Sequence, residues 1–264
     1  PFIHNVILDK RLSKFNLIYL YQLTKILKNL NFYMIYDLQN SSRTNFYKNI
    51  LFPKAKSDKW SSSETTLPTN VSKNEFDKNP VLDRFNHQLK NSNINTLNTM
   101  KPNFNWACTN IDNIKNNYDL EKYIILFPFC SAHLEIKKWP YFNKLIKLIK
   151  TKLNNKFKVI VAPGPSEIDD AKSIDAISIL DEEKILDISQ LSTLIKDSSF
   201  VIANDTGPAH IAAHLNVKGL TLFGKHTTAF KVSIERENFK AIQVDDLSKL
   251  SAEKVFERLS GSIS

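Results

Sequence analysis

The sequence predicts an α/β protein organised on parallel β-sheet, and three features carry that expectation. From Lys122 onward, short apolar runs alternate with stretches of helical periodicity, the pattern of strands joined by helical crossovers. The stretch from Phe200 to His214 runs from an apolar strand through Asn204, Asp205, Thr206 and Gly207 into an Ala-rich helix. Pro208 stands there where a first helical turn tolerates proline. Finally, Ser131, Gly164, Glu167, Asp205 to Gly207, and Gly224 all fall at the carboxyl ends of expected strands, where ligands bind in open α/β sheets.

In the first half, residues 5–8 read as a short strand. Residues 17–30 carry Leu17, Leu20, Tyr21, Leu23, Leu27 and Leu30 at helical spacing. Residues 32–38 read as a strand closing on Asp37, Leu38 and Gln39, followed by a helix through Arg43, Phe46 and Ile50. Residues 54–69, polar and holding Trp60 and a serine run, read as a mobile loop. A helix is expected over 81–89, and 91–105 is polar and rich in turn residues. With the stretch to Asn117 it is the expected interdomain connection, which sets the domains at 1–117 and 118–264.

The second half is more regular. Strands are expected at 123–127, 157–162, 200–203, 220–223 and 241–244. Between them lie an amphipathic helix over 141–153, a helix opening near Ser166 and Glu167, and a helical stretch over 186–196. A last helix over 251–259 closes the chain.

Composition bounds the function. At 264 residues the chain can bury a substantial core in one large or two modest domains. Hydrophobic residues at 42% and charged residues at 24% are ordinary for a soluble globular protein. The net charge of +9 and a pI near 9.3 suit acidic partners such as nucleotide sugars, phosphorylated lipids or nucleic acid. Cys108 and Cys130 have no metal-type spacing and read as free thiols of a reducing compartment. No apolar run reaches the length of a membrane-spanning helix, and no signal peptide is visible. The first residue is Pro1 rather than Met, so the chain is expected to lack its true start.

A strand that stops and restarts as a helix aims unpaired N–H groups and a positive dipole end at one point, which favours a phosphate. Asp205 would repel that phosphate directly, so it is expected to accept from sugar hydroxyls or to cap the helix. A capped turn with no ligand would use the same residue types. Lys137 offers a compact positive charge to a diphosphate, although a lysine there can equally be solvated, like its neighbour Lys138. Trp139 and Pro140 suit packing and helix initiation. Glu167 fits either ribose hydroxyls or a helix N-terminus. His210, one turn into the helix, could reach a donor phosphate or sugar, whereas His214 reads as structural. The His210/His214 spacing lacks the glutamate and third ligand of a zinc site, so no metal is expected. Gly224-Lys225-His226 lacks the upstream glycine and the hydroxyl of a P-loop.

Three motifs in order, Lys137-Lys138-Trp139-Pro140, the turn from Ala162 to Glu167, and Asp205-Thr206-Gly207-Pro208-Ala209-His210, resemble those of glycosyltransferase family 9. These are the heptosyltransferases that build the inner core of bacterial lipopolysaccharide. The resemblance implies a GT-B fold, two Rossmann-like domains facing a cleft, with the N-terminal one incomplete here. It implies inverting, metal-independent transfer of a heptose, usually from an ADP-linked donor, to a lipopolysaccharide inner-core acceptor. Donor contacts are expected from Ser131, Lys137, Glu167, Asp205, Thr206, Gly207 and His210, and Arg43 is an acceptor-side candidate whose alternative is a solvated surface arginine. The family's catalytic base is an aspartate in a Gly-Asp loop. No such pair occurs in the first half, where the earliest glycine is Gly164, so the base is expected upstream of Pro1.

The resemblance further implies no cofactor beyond the donor substrate. It implies a cytoplasmic protein, peripheral on the inner face of the bacterial inner membrane. A non-catalytic nucleotide-sugar or sugar-phosphate binding module is the alternative. A nucleic-acid binder would rest on charge alone, so no nucleic-acid partner is expected.

Overall fold

Parallel sheet forms in both halves of the chain, as a two-stranded pair in the first and a six-stranded sheet in the second. The computed structural model describes residues 3–50, 52, 59–130 and 132–263. It divides into two units, Pro1–Asp77 with Arg84–Thr96, and Lys78–Asp83 with Leu97–Ser264.

In the first unit, α1 (Leu17–Asn29) begins at Asn16, whose side chain accepts from the Tyr19 N–H. It buries Tyr19, Leu20 and Leu23 against Phe46, Tyr47 and Phe52. β1 (Ile35–Tyr36) is followed by α2 (Ser42–Ile50) and pairs in parallel with β2 (Trp60–Ser61). α3 (Lys73–Phe76) and α4 (Val81–Asn91) follow.

Two expectations are corrected here. Residues 5–8 form no strand, because no neighbouring strand pairs with them among the described residues. Part of the expected loop is strand β2: Trp60 is buried, its ring centroid 5.9 Å from that of Phe52, while its backbone pairs with β1. The span 53–58 of that loop lies outside the described residues.

The second unit opens with α5 (Asp112–Asn117) and β3 (Tyr123–Phe127). Then come α6 (Phe142–Lys152), β4 (Lys158–Val161), the single turn α7 (Ile168–Ala171), β5 (Ile177–Ser178) and α8 (Ile188–Lys196). β6 (Phe200–Asn204) leads into α9 (Gly207–His214), and β7 (Gly219–Phe223) into α10 (Ala229–Val232). β8 (Phe239–Gln243) and α11 (Ala252–Ile263) finish the chain. The two-residue β5 carries no apolar alternation and has no counterpart in the sequence expectations.

All six strands are parallel, in the order β5-β4-β3-β6-β7-β8. Apolar clusters cover both faces, one holding Ile124, Leu126 and Ile202, the other Ile125, Val201 and Ala203. Neighbouring residues of one strand thus belong to opposite cores, which explains the unbroken apolar runs of β3 and β6. The winding reverses between β3 and β6, and that switch point opens a crevice at the strands' carboxyl ends.

β7 starts on a glycine for a steric reason. A Cβ on Gly219 would stand 2.7 Å from Phe239 Cε2 and 2.8 Å from the Val201 carbonyl oxygen. Gly219→Ala is therefore expected to destabilise the protein by about 2 kcal/mol through overpacking. Denaturant midpoints measure it, and wild-type stability in the variant would show that β6, β7 and β8 can part at no cost.

Candidate active site

The crevice is anchored by Asn204, the last residue of β6 and fully buried. Its Oδ1 accepts from the Trp139 N–H at 3.1 Å and its Nδ2 donates to the Pro128 carbonyl at 2.8 Å. One amide thus ties Pro128 and Trp139, on either side of the connection that follows β3, to the end of β6. Trp139 is held as well, donating Nε1–H to the Leu250 carbonyl at 2.8 Å and packing edge-on against Phe142. Trp139 is a packing residue, and its two anchors bring Lys137 over the end of β6.

Asp205 follows immediately, only 5% exposed. Lys137 Nζ donates to its Oδ2 at 2.7 Å, and His226 Nε2 lies 3.0 Å from the same oxygen. His210 Nε2 is 3.6 Å from Oδ1, longer than a full hydrogen bond. Burial alone would push the Asp205 carboxyl upward, but its contacts with His210, Lys137 and His226 outweigh burial and hold it well below the usual carboxylate range. The result is a buried, ionised carboxylate surrounded by donors.

Beyond Asp205, Thr206 is the N-cap of α9, and its hydroxyl donates to the Asn204 carbonyl at 3.3 Å rather than capping the helix. Lys137, Glu167, Asp205, Thr206, Gly207 and His210 line one cavity of about 370 Å³. Glu167 accepts the Gly164 N–H on Oε2 at 2.8 Å, which stiffens the turn after β4 and leaves Oε1 for a ligand. Glu167, Thr206 and Pro208 also line a second cavity of about 750 Å³, whose other walls include Phe127, Phe129, Pro163 and Ile188. A polar pocket beside an apolar one suits a ligand with a charged end and a flat apolar end.

The six expected donor residues other than Ser131 therefore meet at one place, and Ser131 itself lies outside the described residues. Arg43 belongs to the first unit. Its Nε and Nη2 donate to Asp9 at 3.0 and 3.2 Å, and Nη1 donates to the Leu12 carbonyl at 3.0 Å. It is neither bare nor solvated but ties the N-terminal segment to α2. Among the described residues no three His, Cys, Asp or Glu side chains are grouped to hold a metal ion. Cys108 and Cys130 are free thiols, and burial pushes the Cys130 thiol up.

Two residues that hold this candidate site have no role in the sequence expectations. Asn204 enters them only as part of the turn, and His226 only within a sequence that fails as a P-loop; its position two residues past Gly224, at the end of the strand next to β6, is the signal that could have found it.

His214 behaves as a structural residue. Burial first, then the charges of Arg236 and His210, push its imidazole down to about 4. Between an unfolded-state value of about 6.5 and that lowered one, the unfolded chain binds a proton that the folded one does not. Stability should thus fall as pH drops through this window, by about 2 kcal/mol after allowance for the partly exposed ring. His214→Gln should flatten the slope in pH-dependent denaturation, and an unchanged slope would assign it elsewhere.

No curated protein sequence matches this chain. The sequence model of glycosyltransferase family 9 (heptosyltransferase) matches residues 20–257. The chain belongs to this family. It is a glycosyltransferase with the GT-B-type α/β fold found in solved members. E. coli heptosyltransferase WaaC, solved with ADP-2-deoxy-2-fluoro heptose, superposes with a TM-score of 0.64 at 15% identity, over 94% of this chain and 79% of WaaC. E. coli ADP-heptose LPS heptosyltransferase II gives 0.63 at 15% identity, over 92% and 80%. The family 9 glycosyl transferase of Veillonella parvula gives 0.66 at 14% identity, over 92% and 78%. At such identities the likeness is one of fold. Among the described residues no helix is long and apolar enough to cross a membrane.

Proposed function

We propose that this family 9 glycosyltransferase transfers a heptose from ADP-heptose, with inversion, to an acceptor of the lipopolysaccharide inner core. The observation that carries the donor reading is Asp205: a buried carboxylate paired with Lys137, at the mouth of α9, in a polar cavity that shares Glu167, Thr206 and Pro208 with the apolar one. In this reading the base and ribose occupy the larger cavity, with Glu167 accepting from ribose hydroxyls. The diphosphate sits over Gly207 and the N-terminal end of α9, where the helix dipole and Lys137 supply positive potential. Asp205 and His210 face the sugar. The donor is itself the substrate and the reading includes no cofactor.

The acceptor end of the reading rests on the family. E. coli WaaC was solved with an ADP-heptose analogue, and a second similar structure is titled as an ADP-heptose LPS heptosyltransferase. A cytoplasmic protein, peripheral on the inner face of the inner membrane, would meet such an acceptor, and the net charge of +9 suits an anionic surface. Calorimetric titration with ADP, GDP and UDP, followed by transfer from ADP-heptose to a lipopolysaccharide-core acceptor, tests the proposal. Tighter binding of ADP than of GDP or UDP is expected, and any product formed should carry heptose with inverted linkage. Preference for another base, or transfer of a different sugar, would overturn the donor assignment.

A further inference from the structure

The two oxygens of Asp205 are used unequally. Oδ2 receives both Lys137 Nζ and His226 Nε2, while Oδ1 has only His210 at 3.6 Å. An ionised carboxylate can only accept, so His226 carries its proton on Nε2 and donates it. The two partners on Oδ2 differ in freedom. Lys137 is a flexible chain with 21% of its side chain exposed, and it lines the cavity. His226 has 9% of its side chain exposed and lies stacked on Phe223, ring centroids 5.9 Å apart and planes 16° from parallel. Its Nδ1 is buried without a partner among the described residues, and the residue is not part of the cavity wall.

A diphosphate entering the cavity competes with Asp205 for Lys137. If lysine were the sole partner on that oxygen, recruiting it would strand a buried carboxylate, a loss of the kind that makes broken buried pairs costly. We propose that His226 is a positioning residue for donor binding: the permanent partner of Asp205, holding Oδ2 so that Oδ1 stays aimed at the ligand when Lys137 turns to the diphosphate. It acts through Asp205 and touches no ligand. The inference rests on the reading of this cavity as the donor site.

The test compares His226→Phe, which keeps the stacked ring and removes the donor, with His226→Gln, which restores an N–H donor. ADP affinity is measured by calorimetry, and KM and kcat by donor-dependent transfer. The phenylalanine variant should bind ADP about 10-fold more weakly, through KM with kcat little changed, and the glutamine variant should recover most of that loss. Wild-type affinity in the phenylalanine variant, or equal losses in both variants, would overturn the proposal. Should wild type bind no nucleoside diphosphate, the donor reading fails, while carbon NMR titration of Asp205 in the free protein still judges His226. The Asp205 midpoint should rise in His226→Phe and not in His226→Gln, and an unmoved midpoint would sink the positioning role. If the phenylalanine variant does not fold, imidazole nitrogen NMR of wild type decides: a proton on Nε2 supports the proposal, and an unprotonated Nε2 overturns it.

Discussion

Asp205→Ala is expected to lower affinity for the nucleotide-sugar donor about 10- to 100-fold, the worth of one or two charge-assisted hydrogen bonds. The substitution also leaves Lys137 and His226 facing a vacated, buried position, since both are directed at Oδ2. Part of the loss is therefore a stability change, and the thermal unfolding midpoint must be recorded beside the calorimetric affinity. Asp205→Asn separates the two effects. It keeps the shape and an acceptor for one partner but removes the charge, so it should retain most of the stability and little of the affinity. Donor affinity unchanged in both variants would remove Asp205 from the site.

Lys137→Met is expected to act on turnover rather than on binding alone. Breaking the bond to the anomeric carbon concentrates negative charge on the departing diphosphate, and a cation placed beside it stabilises the transition state more than the ground state. Loss of one such group typically costs about 10²- to 10³-fold in kcat. Single-turnover transfer with saturating donor measures it. A rise in KM with kcat unchanged would confine Lys137 to ground-state binding. Because Lys137 and Asp205 are paired at 2.7 Å, the double variant should fall short of the sum of the two single losses.

The C-terminal sheet was legible because β3, β4, β6 and β7 are nearly unbroken apolar runs, each closed by turn residues, and burial on both faces produces that signal. The candidate site was legible for the same reason: strand ends in a parallel sheet are where Lys137, Glu167 and the residues from Asp205 to His210 had to converge. What sequence periodicity could not carry was pairing across elements. The Lys137–Asp205 ion pair joins residues 68 apart, and His226 reaches Asp205 from a separate strand end. The staple made by Asn204 is a side-chain amide bonding two backbone groups, which leaves no periodic trace. In the first unit, β1 and β2 are two residues each, too short for alternation to register. Trp60 stands among serines, so its burial against Phe52 is a tertiary fact that local polarity concealed.

The enclosure of β3 and β6 by core on both faces bears on how the molecule opens. Amide protons of 124–126 and 201–203 have strand neighbours on both sides and no solvent-facing edge, so their exchange with deuterium should require global unfolding. Those of β5, a two-residue edge strand, should exchange through local fraying at far lower free energy. Asp205 lies one residue beyond β6 and is fastened there through Lys137 and His226. The anchor of the candidate site is thus fastened to the end of a strand expected to exchange slowly, and loss of the β5 edge to heat or protease would leave that strand's own pairing in place.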